Sequence, residues 1–358
     1  MKKDISVIIA WESGESAPTY TQLEKLAYNL YKRPLAIFFF PQPPCEPDPV
    51  REFRLLPRAT ISNLSSDTRY AVRLGQSMQI SLEELTGGAN PAARQILHDI
   101  ELRWNCSPLV LAKKARDYLG ISLNDQISWK DASEALKRWR SLVQEKGIFV
   151  FKRSFKQRDI SGFCLYDDKF PIIYLNNSMA ITRQIFTLFH EMAHLLTGSS
   201  SIDRRSRSDT EQDAKAPELI ESFINQFVAE LLVPSEDFDH FGTEGPYDAD
   251  YFRKVTERYH VSRDVILRKL FDGGLIDKRS YQEKLRSWSQ DVKDKRSRTS
   301  GGNYYATQAA YLGDKYLQLA FEGYYRGHFG VGQLADYLNV KPRSVPGLEQ
   351  IMLDSTSS

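Results

Sequence analysis

Five residues, His190-Glu191-Met192-Ala193-His194, lie inside an apolar stretch that also carries Ile185, Phe186, Phe189 and Leu196. A segment apolar around most of its circumference is stable only as a buried helix. Burial makes two imidazoles and a carboxylate costly unless each finds a partner. Residues four apart on a helix are rotated by about 40° and stand one turn above each other, so His190 and His194 share a face. Two imidazoles so placed bind one Zn2+ through ring nitrogens. Glu191, beside the first of them, reaches water at such an ion rather than the ion itself, which is where a general base for attack on a carbonyl belongs.

A third ligand is needed to complete the set. The segment Pro217 to Val233 has helical periodicity and carries Glu221 and Asn225 four apart on one face. Glu221 completes a two-histidine, one-carboxylate set that leaves a position open for water, and Asn225 is placed to hydrogen-bond a ligand histidine. The other histidines, His98, His240, His260 and His328, lack partner spacing.

Around these two helices the chain changes texture several times. Residues 4–40 read as short helices, with Thr19 as N-cap of a segment carrying Leu23, Leu26, Ala27 and Leu30. Five prolines between Pro41 and Pro49 force extended backbone and mark a linker. The stretch from 52 to 145 is helical in pattern, with one helix ending at Gly120 and another at Gly147. Ile148–Phe151, Gly162–Tyr166 and Pro171–Leu175 are β-rich. The last two flank the polar turn Asp167-Asp168-Lys169 and are expected to pair as a hairpin. A polar, charged stretch at 291–303 reads as a second linker, and helical periodicity returns from Tyr304 to Met352.

The expected fold is therefore α+β and mostly helical. It divides into an N-terminal part (1–40), a proline-rich linker with a helical region (41–145), a catalytic-type domain (146–290), a linker (291–303) and a C-terminal helical region (304–358). A formal net charge of +2 argues against a general nucleic-acid binder. The apolar runs are far too short to span a bilayer and the N-terminus has no apolar segment of signal type, so a cytoplasmic location without membrane attachment is expected. Cys45, Cys106 and Cys164 are odd in number and far apart, which fits neither a disulfide framework nor a CxxC site.

The run Phe186–Leu196, followed by Glu221 and then Asn225-Gln226-Phe227-Val228-Ala229-Glu230-Leu231-Leu232-Val233-Pro234, resembles the ImmA/IrrE metallopeptidases. These combine an HExxH helix with a glutamate and an "ANxFAAELLMP"-like tail on the next helix. The chain departs from that tail at Ile224, Val228 and Val233, each still apolar, and the strand segment Tyr174-Leu175-Asn176 fits as well. The resemblance covers roughly residues 145–290. It implies a zincin-like domain with His190, His194 and Glu221 as ligands of Zn2+ (Mn2+ is an alternative) and Glu191 as catalytic base. The segment from Ile9 to Ala27 resembles the second half of a Cro/repressor-type helix–turn–helix, which implies a truncated DNA-binding unit and makes DNA an unexpected partner.

The resemblance implies a metal-dependent endopeptidase acting on a protein regulator, such as a helix–turn–helix repressor, or on a toxin partner. One rival reading is a non-proteolytic antitoxin or regulatory binding protein; another is a DNA-binding transcription regulator. For the first reading, the sheet edge near Ile172 to Asn176 is expected to hold substrate in extended form, with Tyr174 and Asn176 as candidate contacts.

Overall fold

The computed structural model describes residues 3–42, 44, 64–103, 105–157, 159–201, 216–294 and 303–356. Most of the proline-rich run lies outside them, as do Cys45 and most of the 291–303 linker. The chain divides into two compact units, one of residues 1–74 with 155–157 and one of residues 75–154 with 158–358. This differs from the expected boundaries at 40, 145 and 290. In particular, the C-terminal helices belong to the same unit as the HExxH helix.

In the first unit, Thr19 caps the helix Tyr20–Glu24 through a reciprocal box with Gln22. The chain then widens into a π-helix, Lys25–Tyr31, which Lys32 ends in the left-handed conformation. The sequence pattern anticipated a helix here but not the change in its winding.

The second unit is built on three strands, β1 (Phe149–Arg153), β2 (Gly162–Leu165) and β3 (Ile172–Asn176). Their order is β1-β3-β2, with β1 parallel and β2 antiparallel to β3. The β2–β3 hairpin follows from local chemistry: Asp167 Oδ1 accepts from the backbone N–H of Lys169 (2.9 Å) and Phe170 (2.7 Å) and bends the chain back. β3 is thus the central strand. This corrects the expectation that the segment Ile172–Asn176 is an edge able to receive another strand, because both of its sides are already paired.

Helices cover one face of the sheet. They are α1 (Pro108–Leu119), α2 (Leu123–Ser128), α3 (Ala132–Glu145), α4 (Ile181–Ser201), α5 (Ala216–Leu232), α6 (Ala249–Tyr259) and α7 (Arg263–Asp272). α1 has proline in its first turn and ends at Gly120 with φ 73°. α3 starts at Asp131, whose carboxylate accepts from the N–H groups of Ser133 and Glu134. Trp139 of α3 is buried edge-on against Phe189 of α4, with ring centroids 4.8 Å apart. The same core takes in Ile173 and Leu175 from β3 and Ile224, Phe227 and Val228 from α5.

The opposite face buries the stacked rings of Phe151, Tyr174 and Phe163. It is covered by α8 (Tyr304–Leu312), α9 (Asp314–Tyr325) and the second half of the helix Ser66–Thr86. At Gly75 a Cβ would stand 2.7 Å from Leu165 Cδ1, so glycine permits that helix to lie this close to the sheet. Among the described residues no helix is long and apolar enough to cross a membrane.

Candidate metal centre

α4 and α5 pack side by side and bring the polar groups expected from the sequence to one point. His190 Nε2 and His194 Nε2 are 3.0 Å apart, and the Glu221 carboxylate oxygens lie 3.5 Å from His190 Nε2 and 3.2 Å from His194 Nε2. A tetrahedral site with metal–ligand bonds of about 2.0–2.2 Å has edges of roughly 3.3–3.6 Å. Three donors of the right chemistry therefore converge at close to the right separation. Among the described residues this is the one group of histidines, cysteines and carboxylates clustered tightly enough to hold an ion.

The charge states suit ligation. Burial, followed by the neighbouring His194, pulls the His190 pKa down to about 4, so its ring is neutral at neutral pH with a lone pair to give. Partial burial works against ionisation of Glu221, but the hydrogen bond from His194 and the two imidazoles outweigh it and hold its carboxyl below the ordinary range. Asn225, one turn beyond Glu221, acts on the His190 ring as a hydrogen-bonding neighbour. The Nδ1 atoms of both histidines are buried and have no hydrogen-bond partner among the described residues.

Glu191 lies between this cluster and β2, within reach of the charges of His194 and Glu221 and of the Cys164 thiol. Burial raises its pKa, with Glu221 adding to the effect, while His194 and the Cys164 thiol oppose it. Cys164 hydrogen-bonds to the Glu191 carboxylate, and burial followed by that negative charge pushes its own pKa up, so it remains a thiol. Two residues earlier, a Cβ on Gly162 would lie 2.5 Å from Thr187 Cγ2 and 3.7 Å from Glu191 Cγ. β2 therefore runs directly against the HExxH helix. Asn176 N–H donates to Ser161 O (2.9 Å), and antiparallel pairing alternates. Gly162 and Cys164 consequently turn their backbone groups away from β3, along the outer edge of the sheet.

Tyr174 and Asn176 do not meet the cleft as expected. Tyr174 is 2 % exposed, stacked between Phe151 and Phe163 on the opposite face. Asn176 is fully buried, donating from Nδ2 to Ile160 O (2.8 Å) and accepting from the Ser178 hydroxyl (2.6 Å). It braces the approach to β2 from inside the fold. Gly162, Cys164 and Thr187 are the neighbours that sequence reading missed. The small residue opening the first hairpin strand was the available signal.

Residues 143–271 match the family model Peptidase_M78, IrrE N-terminal-like domain. No curated protein matches the chain. Among solved structures, a Mycobacterium tuberculosis transcriptional regulator aligns with 15% identity and a TM-score of 0.32, over 46% of this chain and 46% of that one. The chain thus spans less than half the length of that regulator, and so distant a likeness carries no argument. The small sheet, the HExxH helix and the glutamate of the following helix all fall within the matched segment, so residues 143–271 are similar to the IrrE N-terminal-like domain of the Peptidase_M78 family.

Proposed function

We propose that the protein is a metal-dependent endopeptidase whose substrate is a polypeptide, such as a repressor-type regulator or a toxin partner, and that its ion is Zn2+. The observation that carries this reading is the convergence of His190 Nε2, His194 Nε2 and the Glu221 carboxylate within 3.0–3.5 Å, with a half-buried glutamate next in sequence to the first of them. A divalent ion held by these three residues supplies Lewis acidity toward water and toward a peptide carbonyl.

The rest of the chemistry falls to the chain. Glu191 takes a proton from the attacking water as its oxygen bonds to the carbonyl carbon, then returns it to the amide nitrogen as the C–N bond breaks. A raised pKa suits a group that has to do both. Cys164 S–H, donating to the same carboxylate, fixes its orientation. The outward backbone groups of Gly162 and Cys164 offer hydrogen bonds to an extended substrate, a role that passes from β3 to the outer edge of β2.

The test pairs elemental analysis with hydrolysis of a candidate regulator. His190→Ala and Glu221→Ala should lose bound metal, whereas Glu191→Gln should retain it and lose hydrolysis by at least about a hundredfold. Full metal content in His190→Ala, or undiminished cleavage by Glu191→Gln, would sink the reading.

A further inference from the structure

β2 and α4 run side by side in the same direction, and their contacts progress in step. Arg183 Nε donates to Ser161 Oγ (3.1 Å), Thr187 and Glu191 lie over Gly162, and Glu191 meets Cys164. Further along, a Cβ on Gly198 would touch the Tyr166 ring at 3.6 Å. The two ends of this cleft differ chemically. Tyr166, at the far end, is 47% exposed and presents an aromatic surface. At the near end stands an exposed guanidinium.

Arg183 is seven residues before His190, which on a helix is a displacement of about 10 Å along nearly the same stripe. Among the described residues its hydrogen bond is to a neutral hydroxyl, and no carboxylate pairs with it. Ser161 occupies Nε and leaves the two terminal nitrogens, a planar fork matched to a carboxylate. An extended chain advances about 3.3 Å per residue, so a polypeptide crossing the centre would reach Arg183 about three residues from the bond to be cut.

We propose that Arg183 determines specificity, receiving an acidic side chain of a polypeptide laid along the outer edge of β2, about three residues from the scissile bond. The inference rests on the hydrolytic reading for its position and deepens it by naming a substrate class. The acid belongs at the Ser161 end and not at Tyr166, so whether it stands N-terminal or C-terminal to the scissile bond reads out the direction in which the substrate lies.

The experiment uses full-length, zinc-loaded Glu191→Gln protein, immobilised and panned against a phage-displayed library of random linear peptides. Aspartate and glutamate should be enriched on the order of fivefold at one register position, as expected of a single partly exposed ion pair. Adding Arg183→Gln should abolish that enrichment, and adding Arg183→Glu should replace it with lysine and arginine. Acid enrichment unchanged by either substitution overturns the proposal, as does the absence of any position-specific selection. Hydrolysis is scored separately with the wild-type Glu191 protein. Cleavage without acidic preference removes this inference and leaves the hydrolytic reading standing. Arg183-dependent selection without cleavage supports acid recognition at Arg183 but removes the hydrolytic reading, and with it the placement of the acid relative to a scissile bond.

Discussion

Gly162 sets how closely β2 approaches the ligand helix. A methyl group there would meet Thr187 Cγ2 at 2.5 Å and the Tyr174 carbonyl oxygen at 2.8 Å, and the second of these is backbone that cannot rotate away. Gly162→Ala is expected to force β2 off α4 at a cost of about 1–3 kcal/mol, read as a lower midpoint in urea denaturation. Hydrolysis should fall further than stability, since Cys164 would be drawn away from Glu191. A variant as stable and active as the parent would mean that the close approach is not required. His260 offers a second test at this scale. It is buried, stacked 6.4 Å from Trp129, with Nε2 unpartnered. Burial lowers its pKa below the ordinary 6.5 against the opposing pull of nearby backbone groups, Asp131 and Glu134. The unfolded chain then takes up the proton first. The stability contribution is present above about pH 6.5 and is lost as pH falls from there through the lowered folded value. His260 also has φ 56°, a left-handed conformation that asparagine tolerates. His260→Asn should therefore flatten the fall in melting temperature between neutral and mildly acidic pH, and an unchanged slope would exclude this residue as its source.

At the scale of elements, the position of Glu221 depends on how the far end of α5 is held. Arg116 Nη1 donates to Leu231 O (2.8 Å) and to Gln126 Oε1 (2.7 Å), while Gln126 Nε2 donates to Leu232 O (2.9 Å) and Tyr259 O (3.0 Å). Lys269 Nζ donates to Val233 O and pairs with Glu230 at 2.6 Å. The last carbonyls of α5, which a helix leaves without internal partners, are thus bound by side chains from α1, α2 and α7. Gln126→Leu keeps the volume but strands two carbonyls and an arginine, so a loss of about 2–4 kcal/mol is expected, with weaker metal retention. Calorimetry of metal-free and zinc-loaded protein checks both, and a neutral effect would show α5 to be anchored elsewhere. Much of this element-scale arrangement was legible beforehand, for identifiable reasons. His190 and His194 are related by helix geometry alone, and the β2–β3 hairpin by a polar turn. The pairing of β1 with β3 is parallel and non-local, so the chain pattern carries no sign that β3 is central or that Tyr174 and Asn176 are buried away from the cleft. The bridging of α5 by Arg116 and Gln126 likewise joins positions more than 100 residues apart, with separations of 115 and 106.

Across the whole second unit, the metal centre and the C-terminal helices lie on opposite faces of one three-stranded sheet, and this couples them. Tyr316 of α9 is buried edge-on against Phe151 at 5.2 Å, and its hydroxyl donates to Tyr337 O at 2.9 Å. Arg140 of α3 reaches through, donating from Nε to Val150 O (2.9 Å) on β1 and from Nη1 to Ala310 O (2.6 Å) at the end of α8. Its burial brings the guanidinium pKa down to about 10, which leaves it fully charged at neutral pH and well placed against the negative end of that helix. A sheet of three short strands has little stability alone, so both of its faces have to be covered for either to persist. Tyr316→Ala is accordingly expected to cost about 3–5 kcal/mol through the cavity it leaves, and Tyr316→Phe about 1 kcal/mol through the lost hydrogen bond. More telling is the order of events. If the sheet couples its two faces, release of bound zinc to a chromogenic chelator and the change in tryptophan fluorescence should occur at one urea concentration, and Tyr316→Ala should move both together by the same amount. Zinc retained well beyond the unfolding midpoint of the Tyr316→Ala protein would separate the C-terminal helices from the metal centre, and would return residues 304–358 to the status of an independent region.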